Sequence, residues 1–240
     1  MRTSRLLTIV ATGLLGCARS QGPTPMPEPA GSPNTLTAAQ QSAGWQLLFD
    51  GNTTKGWRGY AKDSMPDGWQ VVDGALTRVS RASDIITKDK FRDFELLVDW
   101  MVQSGGNSGI FYRAATGFEA IYWSAPEYQV LDDAQHADGK SLLTSAGSVY
   151  GLYPAIAGVA KPAGEWNTAR IVVRGNHVEH WLNGRQFAAY ELGSDEWKQK
   201  VAASKFNAWP EYGKATEGHI GLQDHGDKVA FRNIKIRELK

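Results

Sequence analysis

An all-β sandwich is the fold that the sequence predicts for residues 45–240, on three observations. Short runs rich in Val, Ile, Phe, Tyr and Trp recur about every ten residues, and Gly, Asn and Asp turns separate them. Asp73-Gly74 and Asn183-Gly184 each lie between two such runs, as the primed turns of tight hairpins require. The length of this region suits one domain with a single core.

The predicted strands consist mainly of β-branched, aromatic and other apolar residues, and each ends near a turn residue. In chain order they cover residues 46–49, 69–72, 75–79, 94–101, 109–113, 128–131, 169–174, 177–182, 186–191, 220–223 and 229–237. Alternation along each strand gives one face to a core and the other to solvent or a ligand.

A single helix is predicted to begin at Ser194, after the last hairpin strand. The Ser194 hydroxyl can cap the first turn, and Asp195 and Glu196 suit its positive end. Trp197 and Val201 lie four residues apart, so they share one face of the helix. We expect this short helix to pack at the edge of the sandwich.

The first 17 residues have the pattern of an export signal. Arg2 and Arg5 precede an apolar stretch over residues 6–15, which is too short to span a membrane. The stretch ends in Leu-Leu-Gly-Cys, which resembles the lipobox of bacterial lipoproteins, in which Cys17 becomes lipidated. A cleaved signal with an incidental cysteine is the alternative. Since Cys17 is the only cysteine, the mature domain has no disulfide.

Residues 18–44 are small, polar and rich in proline, a composition that does not bury enough apolar surface to fold. We expect an extended tether there. The predicted protein is therefore exported and held at a membrane through its lipid anchor only, on the periplasmic or outer-membrane face if the source has two membranes.

The charge balance bears on the class of partner. The chain has 26 Lys and Arg against 25 Asp and Glu, a net charge of +1, and no basic patch is visible. Domains that bind nucleic acid usually carry a clustered positive surface. We predict no nucleic-acid partner, whereas a neutral or an acidic small molecule remains open.

The segment Pro126 to Asp133 is the strongest site candidate. On a strand, Glu127 and Gln129 share one face with Leu131, while Tyr128 and Val130 take the other. A carboxylate taken out of water without a partner costs free energy, so a strand that carries one usually has a use for it. The alternative is an exposed edge, or a buried glutamate paired with an arginine for structural reasons.

Six segments together resemble the 3-keto-disaccharide hydrolase family, whose members are also described as 3-keto-glucoside 1,2-lyases and 3-keto-2-hydroxyglucal hydratases. These segments are residues 45–51, 105–113, 126–133, 164–167, 180–184 and 218–226, the last followed by 231–234. The resemblance covers nearly all of residues 45–240. It implies a concanavalin A-like jelly roll of two antiparallel sheets that binds a small carbohydrate on its concave face.

The resemblance implies cleavage of 3-keto-glucosides by elimination followed by hydration. A ketone at C3 acidifies the C2 hydrogen, so one base suffices to start the reaction. A lectin-like binding module on the same fold is the main alternative. A conventional glycoside hydrolase is weaker, because Gln129 stands where the related Glu-x-Asp-x-x-Glu strand has its central Asp.

We assign Glu127 as the base, His225 as the second acid-base group and Asp132 as the residue that orients it. The residues expected to bind substrate are Arg113, Gln129, Asn107, Trp123, Trp181, Gln223 and His136. No cofactor is certain, but a divalent cation would stabilise the enolate, with Glu127, Asp132, His136 and His225 as candidate ligands. Structural alternatives stay open: an ion pair between Arg113 and Glu127, a simple turn at Asn107, and a solvated loop at His225.

Overall fold

The computed structural model of the protein describes residues 32–240. Its strands are β1 (Trp45–Leu47), β2 (Trp57–Gly59), β3 (Trp69–Val72), β4 (Ala75–Arg78), β5 (Ile85–Thr87), β6 (Phe94–Val102), β7 (Asn107–Ala114), β8 (Glu127–Leu131), β9 (Asn167–Arg174), β10 (His177–Leu182), β11 (Arg185–Glu191), β12 (His219–Leu222) and β13 (Val229–Glu238). The helices are α1 (Ala38–Ser42) and α2 (Asp195–Ala202), with 3-10 turns at Ile121–Trp123, Ala137–Lys140 and Lys205–Ala208.

The strands form two antiparallel sheets. The large sheet runs β11-β10-β9-β6-β13-β4-β3, with β1 also paired to β13, and the small sheet runs β2-β5-β12-β7-β8. The predicted all-β jelly-roll class is confirmed, and β2 and β5, three residues each, are the strands that the pattern did not reveal. Both predicted hairpin turns are present, since Asp73, Gly74, Asn183 and Gly184 all have positive φ.

The core lies between the two sheets. Leu96, Val98 and Ile171 of the large sheet and Tyr128 and Val130 of the small sheet are buried in one cluster. Because side chains alternate along a strand, the neighbours of Tyr128 and Val130 point away from this core. The outer face of the small sheet is where the candidate site lies.

The helix predicted at Ser194 is confirmed as α2. The Ser194 hydroxyl accepts from the backbone N–H of Trp197 at 3.1 Å, and Trp197 is buried. Among residues 32–240, no helix is long and apolar enough to span a membrane. The predicted signal peptide, the lipidation site Cys17 and residues 18–31 lie outside the described residues.

The predicted tether is wrong for its last part, because residues 32–44 fold onto the domain. Asn34 exchanges backbone–side-chain hydrogen bonds with Asn233 on β13, at 2.6 and 2.8 Å, and its amide donates to the Gly74 carbonyl. We call this arrangement the Asn34 clasp. Thr37 and Gln40 then form a reciprocal capping box at α1. Polar capping and hydrogen bonds fix this segment, which a composition argument based on apolar burial overlooks.

Candidate functional site

Glu127 and Gln129 lie on the outer face of the small sheet, as the period-two pattern predicts. Phe111 pairs with Glu127, and Gly109 pairs with Gln129, across β7 and β8. A Cβ atom at Gly109 would lie 2.4 Å from Oε1 of Glu127, closer than atoms approach. The missing side chain at Gly109 therefore makes the room in which the Glu127 carboxyl lies over β7.

A small cavity of about 50 Å³ opens beside this carboxyl. It is lined by Asn107, Glu127, Gln129, Tyr150, Lys205, Gln223 and His225. Cavities that enclose a drug-sized ligand are about 300–1,000 Å³, so this cavity accepts only part of a sugar. A sugar ring would therefore lie over its mouth and insert a hydroxyl or a single reacting atom.

The Glu127 carboxyl is 5% exposed and makes no hydrogen bond or ion pair with any other described residue. Burial raises its pKa to about 8, and the negative charges of Asp84 and Asp138 add to the rise. The positive charge of Lys205 opposes it. A buried carboxyl without a structural partner and with a pKa near neutrality is suited to move a proton.

Three buried amide oxygens of the cavity lining lack a hydrogen-bond partner among residues 32–240: Oδ1 of Asn107, Oε1 of Gln129 and Oε1 of Gln223. The orientation of Gln129 is fixed, because its Nε2 donates to the Thr144 carbonyl at 3.1 Å. Buried acceptors without a partner cost free energy unless a donor reaches them. The cavity therefore suits a ligand rich in hydroxyl groups.

The two predicted loop histidines lie side by side at this cavity. His225 is exposed at the mouth, and the His136 ring meets it edge-on with 6.4 Å between centroids. Nδ1 of His136 accepts from the Asp138 backbone at 3.1 Å, so the proton of a neutral His136 lies on Nε2, which faces the Asn107 amide at 3.5 Å. A half-turn of that amide lets its oxygen accept from His136 and turns its nitrogen to the cavity.

Lys205 and Tyr150 are the lining residues that the sequence did not reveal. Nζ of Lys205 lies 4.3 Å from the centroid of the Tyr150 ring. The Tyr150 hydroxyl donates to Asp138 at 3.2 Å, and burial raises the pKa of Tyr150 to about 12. Tyr150 lies in the segment between β8 and β9, and Lys205 begins the 3-10 turn Lys205–Ala208. No local motif distinguishes them from the other lysines and tyrosines.

Arg113 does not reach this cavity, which corrects its predicted role. Its guanidinium donates to the Arg92 and Gly175 carbonyls and pairs with Asp93 at 3.2 Å. The backbone at Arg113 is left-handed, with φ 52°, so strict alternation with Phe111 does not hold at the end of β7. Arg113 therefore ties strand ends together, and the structural alternative of an ion pair between Arg113 and Glu127 is excluded.

Asp132 and Trp181 are also placed elsewhere. The two oxygens of Asp132 accept from the backbone N–H groups of Gly105 and Ala134, so Asp132 fixes two loops instead of orienting a catalytic group. Trp181 lies on the outer face of the large sheet, where Arg170 packs on its ring at 4.9 Å. Trp123 is half-buried, stacks on Trp209 and does not line the small cavity.

The four predicted cation ligands do not assemble as a set. Asp132 is engaged by backbone groups, and within residues 32–240 no three His, Cys, Asp or Glu side chains are grouped to hold a metal ion. Any cation at this cavity would have to use the Glu127 carboxylate with the amide oxygens of Gln129 and Gln223.

A larger cavity of about 460 Å³ lies at the Arg113 end of β7, against α2. Trp197, Phe206, Trp209 and Tyr212 form much of its wall. None of the described residues that line it is an Asp, Glu or His, so it has no side chain suited to acid-base chemistry at neutral pH. The smaller cavity is the better candidate for a reaction centre.

Comparisons with known proteins show the family to which the chain belongs. Residues 44–237 match the model of the 3-keto-alpha-glucoside-1,2-lyase-like domain family. A curated relative from Bacteroides thetaiotaomicron, named 3-keto-disaccharide hydrolase, is 39% identical over 238 residues, which is 86% of this chain and 82% of the relative.

Solved structures give the same fold. A candidate glycosyl hydrolase from Parabacteroides distasonis has a TM-score of 0.81 at 34% identity and covers 87% of this chain and 100% of its own. A Bacillus subtilis protein with a galectin-like fold has a TM-score of 0.51 at 16% identity, covering 86% of this chain and 94% of its own. The latter likeness concerns the fold alone.

Proposed function

Because the chain belongs to the 3-keto-alpha-glucoside-1,2-lyase-like domain family, we propose that it is a carbohydrate-active enzyme that cleaves 3-keto-glucosides, including 3-keto-disaccharides. One observation carries the proposal. Glu127 is a buried carboxyl without a partner among the described residues, in a cavity where the side-chain oxygens of Gln129 and Gln223 also lack described partners. A binding module needs only the acceptors, whereas elimination at C2 needs the carboxyl as well.

The reaction begins at C2. The ionised Glu127 carboxylate removes the C2 proton, which the neighbouring C3 ketone acidifies, and the electron pair moves onto the C3 oxygen. Lys205 and Tyr150 line the same cavity and would stabilise the negative charge that develops there. With a pKa of about 8, Glu127 is ionised in about a tenth of molecules at pH 7.

The second step expels the leaving group from C1. The enolate collapses to a C1–C2 double bond while the C1–O bond breaks, and the departing oxygen takes a proton. We assign this acid role to His225, an exposed side chain at the cavity mouth that can exchange protons with solvent. Addition of water to C1 and return of a proton to C2 then complete net hydrolysis, with Glu127 acting as an acid.

Substrate binding would use the amides. Hydroxyl groups of the keto sugar donate to Gln129 and Gln223, whose buried oxygens have no other described partner. Asn107 accepts or donates according to the orientation of its amide, with His136 behind it. This pattern of hydroxyl acceptors supports a carbohydrate ligand.

A divalent cation is a further proposal for this cavity. Carboxylate and amide oxygens are the ligands that Ca²⁺ and Mg²⁺ prefer, so Glu127, Gln129 and Gln223 fit such an ion chemically. Bound there, it would supply Lewis-acid stabilisation of a sugar oxygen. Loss of turnover on adding a chelator, with recovery on adding back the ion, would support the cation. Unchanged turnover would exclude it.

We also propose that the enzyme is exported and lipid-anchored at Cys17. The basic start, the apolar stretch over residues 6–15 and the Leu-Leu-Gly-Cys sequence support this. Labelling cells with a tagged fatty acid should mark the wild-type protein. The Cys17→Ser variant should stay unlabelled, and equal labelling of both would exclude the anchor.

The decisive assay compares a 3-keto-glucoside with its unoxidised parent, followed by ultraviolet absorbance and product analysis. Turnover of the keto sugar alone supports the elimination route. Turnover of both substrates points to a conventional glycoside hydrolase. If neither reacts but the sugar still binds, the protein is a lectin-like module and the proposal fails.

A further inference from the structure

Three half-buried aromatic side chains lie together near Lys205: Tyr122, Trp123 and Trp209, the last of which also lines the larger cavity. We call them the aromatic platform. The Trp123 and Trp209 rings are nearly parallel, at 17° with 6.2 Å between centroids, and Tyr122 meets Trp209 edge-on at 5.1 Å. Each ring keeps part of its surface exposed to solvent.

Lys205 connects the platform to the reaction centre. Its ammonium group lies 4.3 Å from the ring centroid of Tyr150, which lines the cavity, and 5.8 Å from that of Tyr122, which belongs to the platform. Lys205 lines the cavity beside Glu127 as well. Lys205 therefore lies between Tyr150 of the small cavity and Tyr122 of the platform.

The platform is held rigidly before any ligand arrives. Tyr122 and Trp123 belong to the 3-10 turn Ile121–Trp123, and the Trp209 backbone N–H closes the next turn by donating to Phe206 at 3.0 Å. A backbone hydrogen bond of 2.9 Å from Gly213 to Ser124 joins the two segments. A preformed surface loses little conformational freedom on binding, which favours affinity.

We propose that the aromatic platform binds the leaving group of the substrate, as a ring that presents an apolar face. The small cavity, of about 50 Å³, is well below the roughly 300 Å³ at which cavities begin to enclose a drug-sized ligand, so most of a disaccharide must lie outside it. The C–H face of a second sugar, or an aromatic aglycone, would stack on Trp209 while the keto sugar lies over Glu127. This inference rests on the proposed function.

The competing explanation is that these rings only pack two loops together. Packing would make Trp209 matter equally for every substrate, through the stability of the loops. A binding role instead makes Trp209 matter only when the leaving group is large enough to reach it. The two explanations therefore differ in substrate dependence.

The test compares two 3-keto-glucosides, one with a methyl leaving group and one with a second glucose. For Trp209→Ala we expect kcat/KM to fall about tenfold on the disaccharide and to change less than about twofold on the methyl glycoside. Trp209→Phe should retain most of the preference. An equal fall on both substrates, or no change on the disaccharide, would overturn the inference.

Trp166→Ala is the matched control. Trp166 is also half-buried and packs on Arg232 of the large sheet at 4.0 Å, away from the cavity. It should leave the ratio of the two kcat/KM values unchanged.

A second measurement separates this inference from the proposed chemistry. If wild-type protein turns over neither substrate, titration of Glu127→Gln with the keto disaccharide still measures binding by tryptophan fluorescence. Weaker binding on adding Trp209→Ala would support a binding role for the aromatic platform even though the proposed chemistry had failed. Equal binding would overturn that role.

Discussion

Glu95 and Glu127 are glutamates of similar burial on the outer faces of the two sheets, and their surroundings are opposite. Glu95, on β6 of the large sheet, accepts from Arg170 at 2.6 Å and from Arg237. Glu127, on β8 of the small sheet, has no such partner among the described residues, and burial raises its pKa to about 8. Burial alone therefore does not distinguish a structural carboxylate from a reactive one.

The difference lies in what the neighbouring strands provide. β9 and β13 flank β6 and supply the two arginines, so the charge of Glu95 is compensated. β7 gives Gly109 and Asn107 beside β8, and neither carries a charge. A paired carboxylate stabilises a fold only as long as the pair is intact, whereas an unpaired one keeps its proton chemistry available.

Among these variants, Glu127→Gln should have the largest effect on activity. We expect kcat to fall about 1,000-fold, because the amide has no basic oxygen, while the fold is retained. Single-turnover kinetics on a 3-keto-glucoside would measure this. Retention of more than a tenth of wild-type activity would remove Glu127 from the base role. Glu95→Gln serves as the control, with activity per folded molecule unchanged.

Glu95→Gln should instead act on stability. Removing the Glu95 charge leaves Arg237 without its counter-charge and Arg170 with only Glu179, at 3.9 Å, so the free energy of unfolding should fall by about 3 kcal/mol. Denaturant unfolding measures this directly. Glu196→Gln, which breaks an exposed pair with Lys200 on α2, should cost less than about 0.5 kcal/mol. Equal losses in the two variants would show that the buried ion pairs of Glu95 contribute no more to stability than an exposed pair.

Lys205→Met should lower kcat about 100-fold if the ammonium group stabilises the enolate. It should also move the pH midpoint of activity upward, because Lys205 lowers the pKa of Glu127. Lys200→Met is the control, since Lys200 also packs on a tyrosine ring, Tyr153, at 4.8 Å. A fall in kcat without any movement of the pH midpoint would show that Lys205 does not influence the pKa of Glu127.

The pH dependence should be smaller but directly diagnostic. The rate of C2 proton removal, followed as exchange of the C2 hydrogen with deuterium from the solvent, should rise about tenfold from pH 7 to pH 9, because Glu127 must lose its proton at a pKa of about 8 and this step does not use His225. Stability should change in the opposite sense. Between the ordinary value of 4.5 and 8, the folded chain holds a proton that the unfolded chain releases, so the free energy of unfolding falls as the pH rises.

Comparing wild type with Glu127→Gln isolates the contribution of Glu127 to the pH dependence of stability, since the variant has no carboxyl there to titrate. The difference in unfolding free energy between the two proteins should change between pH 5 and pH 8. A difference that stays constant across that range would mean that the carboxyl is solvated.

Local patterns predicted much of the fold. Turn dipeptides at 73–74 and 183–184 need only their own residues to specify a hairpin, and the α2 cap is equally local. Strands β2 and β5 are three residues each, too short for an alternating pattern to stand out. The order of strands within each sheet depends on contacts between distant segments, which one sequence does not reveal.

The site was predictable where it lies on strands. Glu127 and Gln129 follow from the alternation of β8, and the loop histidine His225 follows from a strand end. Lys205 and Tyr150 arrive from loops on other parts of the chain, so tertiary packing alone brings them to Glu127. The predicted role of Arg113 was wrong because its left-handed backbone turns the side chain away from the face that strict alternation assigns.

The Asn34 clasp determines where a pulling force would enter the domain. A load applied at residue 32 would reach the exchanged hydrogen bonds between Asn34 and Asn233 first. It would then pass into β13, which is bonded to three strands of the large sheet. The small sheet, with the cavity on its outer face, lies outside that path, so the site is mechanically shielded from tension on the N-terminal segment.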